Sequence, residues 1–212
     1  MTDRLSLYNG ALAVMGERKL DTLADNVPGR YKLDDIWDRD MIRTVLNHGQ
    51  WKFAIRTAEI SYSPSVSPAP FGYEFGFEQP SDMVRVTAVC TDGFLKNPHL
   101  HFRDEAGYWW SDLQTLYVGF VSDGASYGSD FSKWPEDFTR YVEHWLAVEA
   151  GPTIMGASYD LKEKKQEMKD LKKHAKAVDA MKSPPKFQPP NSWTRSRQQR
   201  RGDRGSRTQL IG

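Results

Sequence analysis

The sequence predicts an α+β protein: an α-helical bundle with a small inserted antiparallel β-sheet and a disordered basic C-terminal arm. Three observations lead there. Apolar residues recur at three- and four-residue steps up to about residue 48 and again after residue 135, whereas between Phe71 and Val121 the period falls to two. Aromatic residues make up 12% of the chain and include seven Trp, which compensates for a hydrophobic fraction of only 39% and excludes disorder throughout. The formal net charge of +1 hides a division, because from Lys182 onward eight Lys and Arg face a single Asp, leaving the first 181 residues at a net −6.

The first helix is expected over residues 4–15, where Leu5, Tyr8, Leu12 and Met15 share a face and Gly16 supplies the left-handed residue that ends it. Past Pro28-Gly29, a long helix over 30–48 carries Leu33, Trp37, Met41 and Val45 opposite Asp34, Asp35 and Asp38. Prolines at 64, 68 and 70 make 61–70 a loop. From Phe71, alternation marks strands around Tyr73 to Phe77, 83–89, 100–103, 107–110 and 115–121, a sheet of four to six strands. The Gly/Ser segment 122–132 closes it.

Pro135 is placed to begin a helix, with Glu136 and Asp137 in its first turn and Phe138, Tyr141, Val142, Trp145 and Leu146 on its buried face. Gly151-Pro152 is expected to kink or break it. A last helix over 159–181 has a narrow apolar seam of Leu161, Met168, Leu171 and Val178, read as a subunit interface or a packing strip for neighbouring helices; a helix docked on its own domain is the alternative. The chain thus divides into N-terminal helices (1–60), the inserted sheet (71–122), C-terminal helices (133–181) and the extended arm (182–212).

Chemistry-bearing patterns are few. The Gly-rich stretch 123–130 has no lysine and so lacks a phosphate-loop signature. His99 and His101 fall short of a three-ligand zinc site, and the single Cys90 reads as a buried, inert thiol at a strand end. Trp109 and Trp110 are adjacent on a strand, so they face opposite ways and cannot form one stacking platform for bases. No catalytic constellation, cofactor or metal is expected. Nor is a membrane segment or an export signal, and one cysteine suits a reducing cytosol.

The order of motifs is similar to one family. Tyr8-Asn9-Gly10-Ala11-Leu12 runs into Met15-Gly16-Glu17; Val45-Leu46-Asn47-His48 precedes Trp51-Lys52-Phe53-Ala54; and Tyr73-Glu74-Phe75 leads to Pro80-Ser81-Asp82-Met83-Val84-Arg85-Val86. With the later strand and helix in the same order, residues 5 to 180 resemble the head-to-tail adaptor of short-tailed bacteriophages, the tail tubular protein A family. The resemblance implies a structural virion protein and no enzyme. Copies would form a ring, usually twelvefold, between portal protein and tail nozzle protein, passing double-stranded DNA without sequence specificity, assembled in the host cytoplasm into the virion tail.

Within that frame Leu12, Trp37, Val45, Trp51, Phe53 and Trp145 are core residues, and Pro80 with Asp82 shapes a turn between strands. The arm is expected to dock on acidic portal surface, with Trp193 as an apolar anchor and Arg195, Arg197, Arg200, Arg201, Arg204 and Arg207 pairing with carboxylates. The alternative is a nucleic-acid-binding packaging accessory that uses the same arm on DNA.

Overall fold

Asp3 starts helix α1 (Arg4–Met15) by a reciprocal cap: its carboxylate accepts from the Ser6 N–H at 2.7 Å while the Asp3 N–H donates to the Ser6 hydroxyl at 2.8 Å. Gly16, at φ 80°, ends the helix where sequence placed the end. The computed structural model describes residues 2–66 and 72–183, and residues 1–180 form one compact unit.

The single helix expected over 30–48 is two. α2 (Pro28–Trp37) and α3 (Met41–Asn47) are separated by a turn in which Asp40 takes the left-handed conformation at φ 54°. Asp tolerates that region better than most residues. The break leaves the apolar phase intact: Leu33 and Ile36 before it and Met41, Val45 and Leu46 after it all reach the same core. Periodicity alone therefore cannot reveal the turn.

A 3₁₀ turn, Lys52–Ala54, swings the chain into β1 (Ile55–Ser61), so strand structure begins before the Ser/Pro loop rather than after it. Then come β2 (Phe75–Glu78), β3 (Met83–Cys90), β4 (Arg103–Glu105), β5 (Tyr108–Ser111) and β6 (Thr115–Ser122). They make two antiparallel three-stranded sheets, ordered β1-β6-β3 and β2-β5-β4, instead of one. Phe77, Trp109, Leu116, Val118 and Phe120 form a buried cluster among these strands. Trp109 and Trp110 indeed point opposite ways, yet both are buried, because Gly76 opposite Trp110 lets the indole lie on the backbone beside Val66.

Helix α4 (Glu136–Ile154) has Pro135 just outside it as the cap, its carbonyl accepting from the Thr139 N–H at 2.9 Å. It does not break at Gly151-Pro152. The proline removes only one hydrogen bond in the last turn, and Gly151 gives room to the Tyr159 ring, whose hydroxyl donates to the Ala147 carbonyl at 2.8 Å. The 21-residue helix α5 (Leu161–Met181) follows, capped by Asp160, which accepts from the Lys162 and Glu163 N–H groups at 3.1 Å.

The helices enclose the larger core. Of the expected core residues, Leu12, Val45 and Trp51 are buried; Trp37, Phe53 and Trp145 are half-buried against it. Pro80 makes the anticipated turn, its carbonyl accepting from the Met83 N–H at 3.0 Å. Asp82 follows it, accepting from Arg56 at 2.7 Å and from the Ser122 hydroxyl at 2.6 Å. Burial pushes this carboxyl up, but the Ser122 and Arg56 hydrogen bonds outweigh it and hold Asp82 below the ordinary range.

Where α1 meets α4, the Glu143 side chain lies over Gly10, and burial pushes its carboxyl up against the weaker pull of Arg140. The folded chain therefore binds more protons than the unfolded one just above the ordinary Glu range, and this stabilisation is lost as pH rises through the folded value. Glu143→Gln is expected to raise the melting temperature at pH 7 but to leave it unchanged below about pH 4, where the carboxyl is already neutral. Thermal unfolding at the two pH values checks this.

Candidate interaction surfaces

Helix α5 uses its narrow seam on its own fold. Met168 and Leu171 pack against the helical core, Ala175 is buried and Leu161 and Val178 are half-buried. The face anticipated for a neighbouring subunit is therefore covered at Met168 and Leu171 by the chain's own core. Near the end of α5, buried Asp179 accepts the Lys52 backbone N–H at 3.1 and 3.3 Å, and the Lys52 ammonium donates to the Ala180 carbonyl at 2.8 Å. A carboxylate near a helix C-terminus is opposed by the helix dipole, so Asp179 is a tether to the turn after α3 rather than a favourable end charge.

The arm residues Trp193, Arg195, Arg197, Arg200, Arg201, Arg204 and Arg207 lie outside the described residues.

Among the described residues, large apolar side chains face solvent on two connections in particular. On the α1–α2 connection and the first turn of α2, Leu23, Val27 and Tyr31 are exposed. Arg30 knits them: its guanidinium donates to the Leu23 carbonyl at 3.3 Å and lies 4.0 Å from the Tyr31 ring centroid. The same Arg30, with Arg4 and the Tyr8 hydroxyl, converges on Asp34 at 2.8, 2.6 and 3.0 Å, so the patch stands on a braced base.

On the β3–β4 connection Phe94 and Leu100 are 83% and 86% exposed. The loop beneath Phe94 is built: the Asp92 carboxylate accepts the Asn97 N–H at 2.8 Å and the Lys96 N–H at 3.2 Å, and Leu95 sits in the left-handed region at φ 53°. Hydrogen bonds from the Asn97 and neighbouring N–H groups hold the Asp92 carboxyl below its ordinary range. Sequence reading placed Leu100 in a strand; β4 starts three residues later, leaving Leu100 outside it. The available signal was Asp92-Gly93, a turn dipeptide directly before Phe94.

The candidate chemical groups do not converge. Cys90 is buried, and burial together with Asp92 pushes its thiol up, away from reactivity. His99 hydrogen-bonds the Ser111 hydroxyl at 2.8 Å, whereas His101 stands 3.4 Å from Asp112 and against the Tyr73 ring. Among the described residues no group of three or more His, Cys, Asp or Glu is placed to hold a metal ion. No model of a known protein family matches the chain, and no curated protein matches its sequence.

Proposed function

We propose that the chain is a head-to-tail adaptor of a short-tailed bacteriophage virion, copies of which close into a ring between portal and tail nozzle around the passing DNA. One observation supports this reading beyond the resemblance of motif order: an acidic body exposes large apolar side chains both on its helical part, at Leu23, Val27 and Tyr31, and on its sheet part, at Phe94 and Leu100. A head-to-tail ring contact joins two different faces of one subunit, so each copy needs two adhesive surfaces. Large exposed aromatic and aliphatic side chains on braced loops are suited to that role. The basic arm adds a third element, its Arg forks matching carboxylates on an acidic portal surface.

Light scattering on a sizing column, with the protein alone and mixed with portal protein, tests the reading. Many copies per portal are expected. Deleting 183–212 is expected to leave a folded body that no longer joins the portal, and normal attachment of the truncated chain would remove the arm from this role. Phe94→Ser with Leu100→Ser is expected to reduce ring assembly without changing the melting temperature. Failure to associate with portal, together with retention of duplex DNA, would instead support the packaging accessory.

A further inference from the structure

At the junction of the 3₁₀ turn, β3 and the end of α5 lies a cleft of about 410 Å³ lined by Gly49, Gln50, Trp51, Lys52, Arg85, Lys176, Asp179 and Ala180. Its charge is one-sided. Lys52, Arg85 and Lys176 line it and Lys172 stands one helical turn behind Lys176. Among the described residues none of these four has a carboxylate within ion-pair distance, although the body as a whole is acidic. Asp179, the one acid in the cleft, is buried and has both oxygens on the Lys52 backbone N–H. Lys52 uses one donor on the Ala180 carbonyl, and Arg85 uses Nη1 on the Asn47 carbonyl at 3.3 Å, so both retain donors.

The crowding is built in. The absence of a side chain at Gly49 admits the stem of Lys176, whose Cε would lie 3.2 Å from a Cβ there. Burial and Lys176 push the Lys172 ammonium down, and burial, Lys172 and Lys176 push the His48 imidazole down. Three cations line this partly desolvated cleft against one buried carboxylate that is committed to a backbone N–H, and the net positive charge left over calls for an anion.

We propose that this cleft binds a phosphate group, held by Lys52, Arg85 and Lys176, with Lys172 adding to the positive field behind Lys176. The phosphate is supplied either free in solution or as a phosphodiester of a nucleic acid, and the site stands independently of the adaptor reading.

His48 is the reporter, since it feels Lys172 and Lys176. The full-length protein is titrated with inorganic phosphate, pyrophosphate and a short DNA duplex at constant ionic strength, following the His48 imidazole by NMR and binding by calorimetry. Phosphate is expected to raise the His48 midpoint, and Lys172→Gln with Lys176→Gln to weaken phosphate binding about tenfold or more. The same charge change on exposed positions, Lys162→Gln with Lys165→Gln, is expected to change little. Arg85→Gln, on a different element, supplies a second variant should the first lose its fold. A His48 response to phosphate and pyrophosphate but not to duplex identifies free phosphate as the source; a response to duplex that phosphate competes away identifies the nucleic-acid backbone. No His48 response to any of the three, or equal weakening by the control pair, overturns the proposal.

Discussion

Trp51→Ala is expected to lower the unfolding free energy by about 3–5 kcal/mol, a large share of the roughly 5–15 kcal/mol typical of a domain. The indole is 1% exposed and sits where three segments meet. Its ring centroid is 4.7 Å from Phe138 and 6.2 Å from Tyr141 on α4, and 6.5 Å from Phe53 in the following turn. Its Nε1–H donates to the Val45 carbonyl of α3 at 3.3 Å. Truncation removes the apolar contact and leaves a cavity that these rings cannot close, since each is held by other aromatic neighbours. Trp51→Phe keeps most of the volume and is expected to lose far less. Urea unfolding measures both, and an alanine variant with the wild-type midpoint would sink the assignment of Trp51 as the central packing residue.

Gly128→Ala is expected to cost about 2–3 kcal/mol, at the upper end for inserting one methyl into a packed site. A Cβ at Gly128 would stand 2.4 Å from the Ser122 carbonyl oxygen and 2.4 Å from Leu46 Cδ1. The oxygen cannot step aside: the Gly128 N–H donates to it at 3.0 Å, and the Gly128 carbonyl accepts from the Trp134 indole at 2.8 Å. This short stretch ties the end of β6 to the entry of α4. Gly10→Ala is the contrast. The atoms nearest its Cβ would be Cγ and the carboxyl of Glu143, a flexible side chain that can swing away, and alanine favours the helix by up to about 1 kcal/mol. Comparable losses for the two variants in thermal unfolding would show that backbone approach at Gly128 is not what limits the site.

The helices that sequence located best, α1, α4 and α5, are those whose signals are local: apolar residues at three- and four-residue steps, with Gly16 at the end of α1 and the acids Glu136 and Asp137 in the first turn of α4. β3, β5 and β6 were legible for the analogous reason at a spacing of two. β1 was not. Its apolar residues Ile55, Ala58 and Ile60 do not alternate, and its strand character comes from β6, with Ile55 opposite Val121 and Ser61 opposite Thr115. The α2–α3 turn was hidden because the chain resumes the helix in phase after Asp40. Of the functional surfaces, the charge of the arm is visible in the sequence, while Phe94 and Leu100 became notable only through their exposure.

Composition, periodicity and the division of charge were enough for the α+β class, the coarse order of helices, then strands, then helices, and an acidic body with a basic tail, because each is a property of neighbouring residues or of their sum. The partition into two sheets, the direction in which the α5 seam faces and the meeting of Lys52, Arg85 and Lys176 at one cleft were settled by folding. The cleft alone joins residues 33 to 124 positions apart, and nothing in the local pattern of either partner records the distance or direction of the other.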